Sequence, residues 1–309
     1  MAACGLCRYM ENSRTPRCRQ SATPGPRGPP RFGESLLFRR LVTRSKPLVP
    51  AEPRSPAARP AVPDGVRIYA VGDLHGRRDL LEEIEERIAE DLAASPRVVR
   101  PFLVYLGDFV DRGMDSRGVL ERLVVNPLFE GVPRVLLLGN HDLWMREFLR
   151  GQPIGASWLQ FGGDATLASY GVRLDFTLPE PQRLALARDG LAERLPDTHR
   201  RLLAALELAW SCGDYFFCHA GIRPGLPLDR QSPEDLLWIR EPFLSWRGNA
   251  GKVVVHGHTV SEDPVVRPNR IGIDTGAYLT GRLTCLVLEG TDVRFLATGE
   301  PATGPAGTL

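Results

Sequence analysis

Three apolar runs early in the sequence stop on the same punctuation. VRIYAV (66–71) runs into GDLHG, PFLVYL (101–106) into GDFVDRG, and RVLLL (134–138) into GNHD. Short runs of β-branched and aromatic residues halted by glycine read as strands. Helical patterns lie between them. RRDLLEEIEERIAEDL (77–92) spaces Leu80, Ile84, Ile88 and Leu92 by four, and DSRGVLERLVV (115–125) opens on an aspartate suited to cap a helix. A further helix is expected from Asp142. Such alternation predicts a layered α/β fold, because the helices must cover the faces of a sheet. The middle, 150–210, is rich in Leu, Ala and Arg and reads as mostly helical. DYFFC (214–218), KVVVH (252–256) and RLTCLVLEG (282–290) read as later strands, and the EGT turn before DVRFLA (292–297) predicts a closing hairpin.

The residues that stop each strand are costly there. Charges beside a buried strand need partners, and the carboxyl ends of strands are where open α/β sheets hold their sites. The first run ends on Asp73 and His75, the second on Asp108, Asp111 and Arg112, the third on Asn140, His141 and Asp142. CHAG adds His219, and HGHT adds His256 and His258. The chain has six histidines, and only His199 lies away from a strand end; this clustering marks a site. Its donors are carboxylate and amide oxygens and imidazoles without cysteine, which suits a divalent first-row ion such as Mn²⁺, Fe or Zn²⁺. The donors exceed the needs of one tetrahedral ion. They suit two ions about 3.5–4 Å apart sharing one carboxylate, with Asp108 as the bridge. Gly72, Gly76, Gly107 and Gly139 beside these residues permit sharp turns and close backbone approach.

Composition sets the organisation. Residues 1–63 hold 11 prolines and 12 Lys and Arg against 3 acidic residues, whereas the remainder carries 27 Lys and Arg against 34 acidic. The first 63 residues are expected to be a disordered basic extension, residues 64–300 a catalytic domain, and 301–309 a flexible tail. Within the extension, 31–44 could form a basic amphipathic helix or belong to a transit peptide. Cys4 and Cys7 have the spacing of half a zinc site but no matching second pair. The basic excess lies in the extension, so no nucleic-acid partner is expected. No apolar run is long enough for a transmembrane helix. Six cysteines in 309 residues make no dense disulfide framework, and a reducing, cytoplasmic compartment is expected.

The ordered set GDLHG, GDFVDRG, GNHD, HAG and HGHT resembles the calcineurin-like metallophosphoesterases, in particular the bacterial and phage-lambda-type serine/threonine phosphatases of the phosphoprotein phosphatase family. The likeness spans about residues 66–290, and WLQFGGDATLASYG (158–171), LLWIREPFL (236–244) and IDTGAYLTGRLTCLVLEG (273–290) add to it. It implies a two-sheet β sandwich flanked by helices, with a dinuclear site at strand ends. It implies that Asp73 and His75 bind the first metal, that Asp108 bridges, and that Asn140, His219 and His258 bind the second. A hydroxide between the ions would attack phosphorus in line. His141, oriented by Asp111, would protonate the leaving alkoxide, and Arg112 and Arg240, with Asn140, would hold the phosphate. Without the resemblance, Arg240 reads as a surface cation. His256, Asp142, Asp274 and Tyr278 are expected to support the site without binding metal.

Two departures sharpen the resemblance. Asp142 and Ala220 stand where the eukaryotic branch carries Glu and Gly. Dinucleoside tetraphosphate hydrolases often share GNHD but typically lack the aspartate of DRG, which this chain keeps as Asp111. The expected substrate is therefore a phosphoprotein, with dinucleoside tetraphosphates or other small phosphoesters as the alternative. A phosphoprotein-binding scaffold with a degenerate site would need a broken ligand set, and this set is complete.

Overall fold

The computed structural model of the protein describes residues 59–95 and 99–299. Two five-stranded sheets form within them. The first has the order β10-β9-β1-β2-β3, from β1 (Val66–Val71), β2 (Arg100–Tyr105), β3 (Arg134–Leu136), β9 (Thr284–Glu289) and β10 (Asp292–Ala297). The second has the order β4-β5-β6-β8-β7, from β4 (Ala209–Cys212), β5 (Tyr215–Cys218), β6 (Val253–His256), β7 (Val265–Arg267) and β8 (Arg270–Gly272). Strands β1, β2 and β3 run parallel, as do β5, β6 and β8; β9 and β10 close the first sheet as an antiparallel hairpin.

The period of two along each strand builds the layers. Ile68, Ala70, Phe102, Val104, Leu106, Leu286 and Leu288 point between the sheets, where they meet Tyr215, Phe217, Val253, Val255 and Ile271. The alternate residues Tyr69, Val71, Leu103 and Tyr105 face the helices. Phe216, Cys218 and Val254 fill a third cluster on the outer face of the second sheet. Burying one Leu or Phe contributes about 1.5–3 kcal/mol, so both faces of these strands stabilise the fold. On the helical side lie α1 (Arg78–Ala93), α2 (Ser116–Val125) and α3 (Asn140–Leu149). The middle of the chain supplies α4 (Gly155–Trp158), a π turn over Leu159–Gly163, α5 (Asp164–Ser169), α6 (Glu180–Arg194) and α7 (Asp197–Ala205). A 3₁₀ turn over Leu228–Arg230 and the short helices α8 (Pro233–Trp238) and α9 (Ala277–Thr280) complete the set among the described residues.

The sequence expectations meet several differences here. The third helix starts at Asn140 rather than Asp142, because the Asp142 carboxylate accepts the Gly139 N–H (3.0 Å) and closes the first turn two residues earlier. The third strand pairs only over Arg134–Leu136; Leu137 forms an isolated bridge to Glu207. Strand β4 follows the helical stretch directly, and β7 and β8 are three residues each, too short to show a period in sequence. The aspartate cap of α2 is present: Asp115 Oδ1 accepts the Gly118 N–H at 2.7 Å. Ala61 and Val62, on the far side of the expected boundary at Asp64, are buried and tied by backbone bonds to Asp214 and Gly290. The readings placed on Cys4, Cys7 and 31–44, and the C-terminal segment 301–309, lie outside the described residues.

Candidate dinuclear metal centre

The strand-end loops of both sheets meet at one place. His75 N–H donates to the Asp108 carbonyl (2.7 Å), joining the loops after β1 and β2. The Gly257 N–H donates to the His219 carbonyl (2.8 Å), joining those after β5 and β6. Packing is tight: a Cβ on Gly139 would lie 2.1 Å from Asp108 Oδ1. The backbone there is held in rare conformations. His75, Asp108, Asp111, Arg112 and His258 have φ of +43°, +50°, +75°, +68° and +63°, and among described non-glycine residues only Asn126 joins them. Left-handed backbone outside glycine is costly and concentrates at functional sites.

Asp108 stands at the middle. Its Oδ2 is 3.5 Å from His75 Nε2 and 3.4 Å from His219 Nε2. Its Oδ1 accepts the His141 N–H (3.0 Å) from the first turn of α3. Two donors each about 2.1 Å from one ion lie roughly 3–3.5 Å apart, so the spacing fits an oxygen shared between two ions. The other ring nitrogens fix which nitrogen faces inward: His75 Nδ1 contacts the Val110 carbonyl (3.0 Å) and His219 Nδ1 the Leu106 carbonyl (2.9 Å). A proton held on Nδ1 by a carbonyl leaves Nε2 as a lone-pair donor. Asn140 Oδ1 lies 2.9 Å from both His219 Nε2 and His258 Nδ1. Two groups of candidate ligand atoms result, each within 4.8 Å: His75, Asp108 and His141, and Asp108, His219 and His258.

Asp73 lies in neither group. Its Oδ2 accepts the His258 N–H (3.0 Å), while its Oδ1 is buried without a hydrogen-bond partner among the described residues. Burial and the nearby Asp274 and Asp108 push its carboxyl well above the usual range. Burial likewise raises Asp274, and burial with Asp108 raises Asp142 to about 7. Burial also acts to raise Asp108, but His219, His141 and His75 offset it and hold that carboxyl well below its ordinary value. Burial pulls His219 down, yet Asp108 and Asp73 outweigh it and lift the imidazole to about 10. Crowded carboxyls short of positive charge, with an orphaned buried oxygen among them, fit divalent cations.

His141 joins this crowd to Asp111. His141 Nδ1 is 2.7 Å from Asp111 Oδ2. Arg112 spans the mouth, with its guanidinium nitrogens 3.0 Å from His75 Nε2 and 3.1 Å from His141 Nε2, over the Tyr278 ring at 4.5 Å. Arg240 is exposed at the rim and donates weakly to the His258 carbonyl (3.4 Å). His256 turns away: its Nε2 faces Arg270 (3.2 Å) and its ring packs on Phe243. Asp142 braces two loops by accepting the N–H groups of Phe109 and Gly139, and Asp274 accepts that of Gly276. All ten residues expected at the site therefore stand in or around one centre.

The centre opens into a cleft of about 470 Å³ lined by Arg112, Asn140, His141, Arg240 and His258 on one side and Trp144, Phe161 and Trp238 on another. The Trp144 ring lies 5.3 Å from that of Phe161 and 5.0 Å from that of Trp238. Sequence reasoning missed this aromatic wall. It also missed Trp158 and Thr166, which bond to Asp111; their only signal was the stretch WLQFGGDATLASYG.

Known proteins resemble the chain over most of its described length. The chain is 33% identical over 189 residues to a symmetrical bis(5'-nucleosyl)-tetraphosphatase of Acidovorax sp., a match covering 60% of this chain and 51% of that protein. It is 29% identical over 222 residues to serine/threonine-protein phosphatase 1 of Salmonella typhimurium, covering 70% of this chain and 89% of that protein. A crystal structure assigned as a diadenosine tetraphosphatase shares the fold, with a TM-score of 0.51 and 24% identity over 78% of this chain and 98% of that chain. The calcineurin-like phosphoesterase family model matches residues 66–293, from the first strand through to the closing hairpin, and the chain belongs to that family.

Proposed function

We propose that the protein is a dinuclear-metal-dependent phosphomonoester hydrolase acting on phosphoserine and phosphothreonine in proteins. The observation that carries the two-ion reading is Asp108 Oδ2, placed nearly evenly between His75 Nε2 and His219 Nε2; Asp111, kept beside Arg112 and paired with His141, favours the phosphomonoester. Asp73, His75 and Asp108 would hold one ion, and Asp108, Asn140, His219 and His258 the other. His141 is read outside the ligand set as the ring that Asp111 orients through Nδ1, whereas Asp73 Oδ1 has no hydrogen-bond partner among the described residues and is free to take an ion. Two bound divalent ions supply a strong nucleophile from water at neutral pH and offset phosphoryl charge. The mixed carboxylate, amide and imidazole donors suit Mn²⁺, Fe or Zn²⁺, and Mn²⁺ is the ion proposed.

The chain's own groups do the rest. Arg112 could donate neither to His75 Nε2 while that nitrogen held a cation nor to His141 Nε2 while that nitrogen carried a proton, so its guanidinium would turn to the phosphoryl oxygens together with Arg240 and Asn140. His141 gives its Nε2 proton to the departing serine or threonine oxygen, and Asp111 holds the ring by Nδ1. Free, buried Cys212, Cys218 and Cys285 accord with a reducing, cytoplasmic setting. Among the described residues no helix is long and apolar enough to cross a membrane.

A second reading, hydrolysis of dinucleoside tetraphosphates, is favoured by the aromatic wall, on which a base could stack. Metal-free protein reloaded with Mn²⁺ and given a phosphoserine peptide, p-nitrophenyl phosphate and diadenosine tetraphosphate separates the two. Phosphopeptide turnover at least tenfold faster than tetraphosphate turnover is expected, and the reverse order would select the second reading.

A further inference from the structure

The end of α4 and the first turn of α5 each place a side chain on Asp111. The Trp158 indole N–H donates to Asp111 Oδ2 at 2.8 Å, beside the His141 Nδ1 contact on the same oxygen. The Thr166 hydroxyl donates to Asp111 Oδ1 at 2.6 Å and accepts the Asp111 backbone N–H at 2.9 Å. Ser116 Oγ takes the same N–H at 3.0 Å and lies 3.0 Å from Thr166 Oγ1. In the turn between α4 and α5, the Gly162 carbonyl accepts the N–H of the residue after Asp111, Arg112 (3.1 Å), at an approach so close that a Cβ on Gly162 would lie 2.7 Å from that nitrogen. Trp158, Asp111 and Thr166 are all fully buried.

We propose that Trp158 and Thr166 are positioning residues for proton donation by His141: together they fix the rotamer and the left-handed backbone of Asp111, so that one carboxylate oxygen is held on His141 Nδ1. The proposal rests on the reading of His141 as the general acid. A carboxylate free to rotate would swing its plane off His141 Nδ1, or turn inward toward the centre beside Asp108. With Thr166 bonded to one oxygen and Trp158 to the other, neither motion is open without breaking a buried hydrogen bond. The same threonine hydroxyl ties the side chain of Asp111 to its own backbone N–H, which stabilises a φ of +75° that an aspartate rarely adopts. An orienting partner of this kind acts on the proton-transfer step alone, as the base-orienting third group does in other acid–base sites.

The test follows leaving-group basicity. A serine alkoxide must leave protonated, whereas p-nitrophenolate leaves as a stable anion, so damage to the acid shows as a changed ratio between the two substrates. Trp158→Phe, Thr166→Val, Thr166→Ser and His141→Ala are compared in the Mn²⁺-loaded full chain. Trp158→Phe and Thr166→Val are each expected to lower kcat on the phosphoserine peptide about tenfold more than on p-nitrophenyl phosphate. KM should stay within twofold and metal content should match wild type. Thr166→Ser, which keeps the hydroxyl, should recover most of the ratio. Equal losses on both substrates, or a lost ion, would overturn the proposal in favour of a purely structural role. An unchanged ratio in both clamp variants, with a shifted ratio in His141→Ala, would overturn it while leaving His141 as the acid. An unchanged ratio in His141→Ala would remove the acid assignment and the clamp with it. Thr166→Val decides the matter should Trp158→Phe fold poorly.

Discussion

Asp108 is the residue whose charge the most neighbours share. Its two oxygens meet two imidazoles and the N-terminus of α3, so a neutral amide there removes the one charge common to both proposed ions. Asp108→Asn is expected to lower the affinity for both ions together, whereas Asp73→Asn, at the edge of the centre, should chiefly weaken one. Metal content by mass spectrometry after gel filtration checks this; two ions retained in Asp108→Asn would refute the bridge. Arg240 belongs to the same scale but to the rim. Its guanidinium makes one weak hydrogen bond among the described residues, to the His258 carbonyl, so truncating the side chain should leave the fold intact. A charge-assisted bond to phosphate is worth roughly 1.5–3 kcal/mol, so Arg240→Ala should lower kcat/KM about tenfold or more, through KM and kcat together. Steady-state kinetics identical to wild type would return Arg240 to the surface.

At the scale of elements, His199 shows what the sixth histidine is for. It lies on α7 and is fully buried. Its Nδ1 accepts from the Tyr170 hydroxyl at the end of α5 (2.7 Å), and its Nε2 donates to Glu121 on α2 (2.9 Å). One imidazole thus pins three helices behind the segment that grips Asp111. Burial lowers the His199 pKa, partly offset by Glu121. The sign follows directly: a base whose folded pKa is depressed takes up a proton on unfolding. Its stabilising effect is therefore full above its ordinary value near 6.5 and is lost as pH falls below it. His199→Gln should unfold at lower urea concentration at pH 7.5, by about 1–3 kcal/mol for a disturbed buried hydrogen bond. The gap to wild type should narrow at pH 5.5, and a gap that widens on acidification would contradict this origin.

For the whole molecule, the two sheets are closed at one side by residues just ahead of β1. Val62 is fully buried between the sheets, and Ala61 bonds to Asp214 through both its N–H and its carbonyl. Deleting residues 1–58 is therefore expected to leave kcat/KM within threefold, whereas deletion through Pro63 should lower the melting temperature by several degrees. Loss of activity in the shorter deletion would show that the basic extension contributes to the enzyme. Metal should stabilise the whole unit as well, since a ligand at a hundred times its Kd adds about 2.7 kcal/mol to a folded state that alone binds it. Calorimetry with and without Mn²⁺ should show the difference, and its absence would argue that the carboxyl cluster binds no ion tightly.

Much of this was legible along the chain. The apolar runs with glycine stops marked β1, β2 and the closing hairpin, because strands that are buried on both faces read as continuous apolar segments. The polar residues after them marked the centre, because carboxylates and imidazoles are placed at buried strand ends only where something compensates them. Strands β7 and β8 were not legible, since three residues carry no period. Nor was the aromatic wall: Trp144, Phe161 and Trp238 come from α3, the π turn and α8, and only packing brings their rings together. The grip on Asp111 was hidden for the same reason. Trp158 and Thr166 lie 47 and 55 residues beyond it, and no local pattern records a hydrogen bond across such a distance. Local residues chose the elements and their chemistry; the packing of α4 and α5 against the loop after β2 decided how the Asp111 carboxylate is turned toward His141.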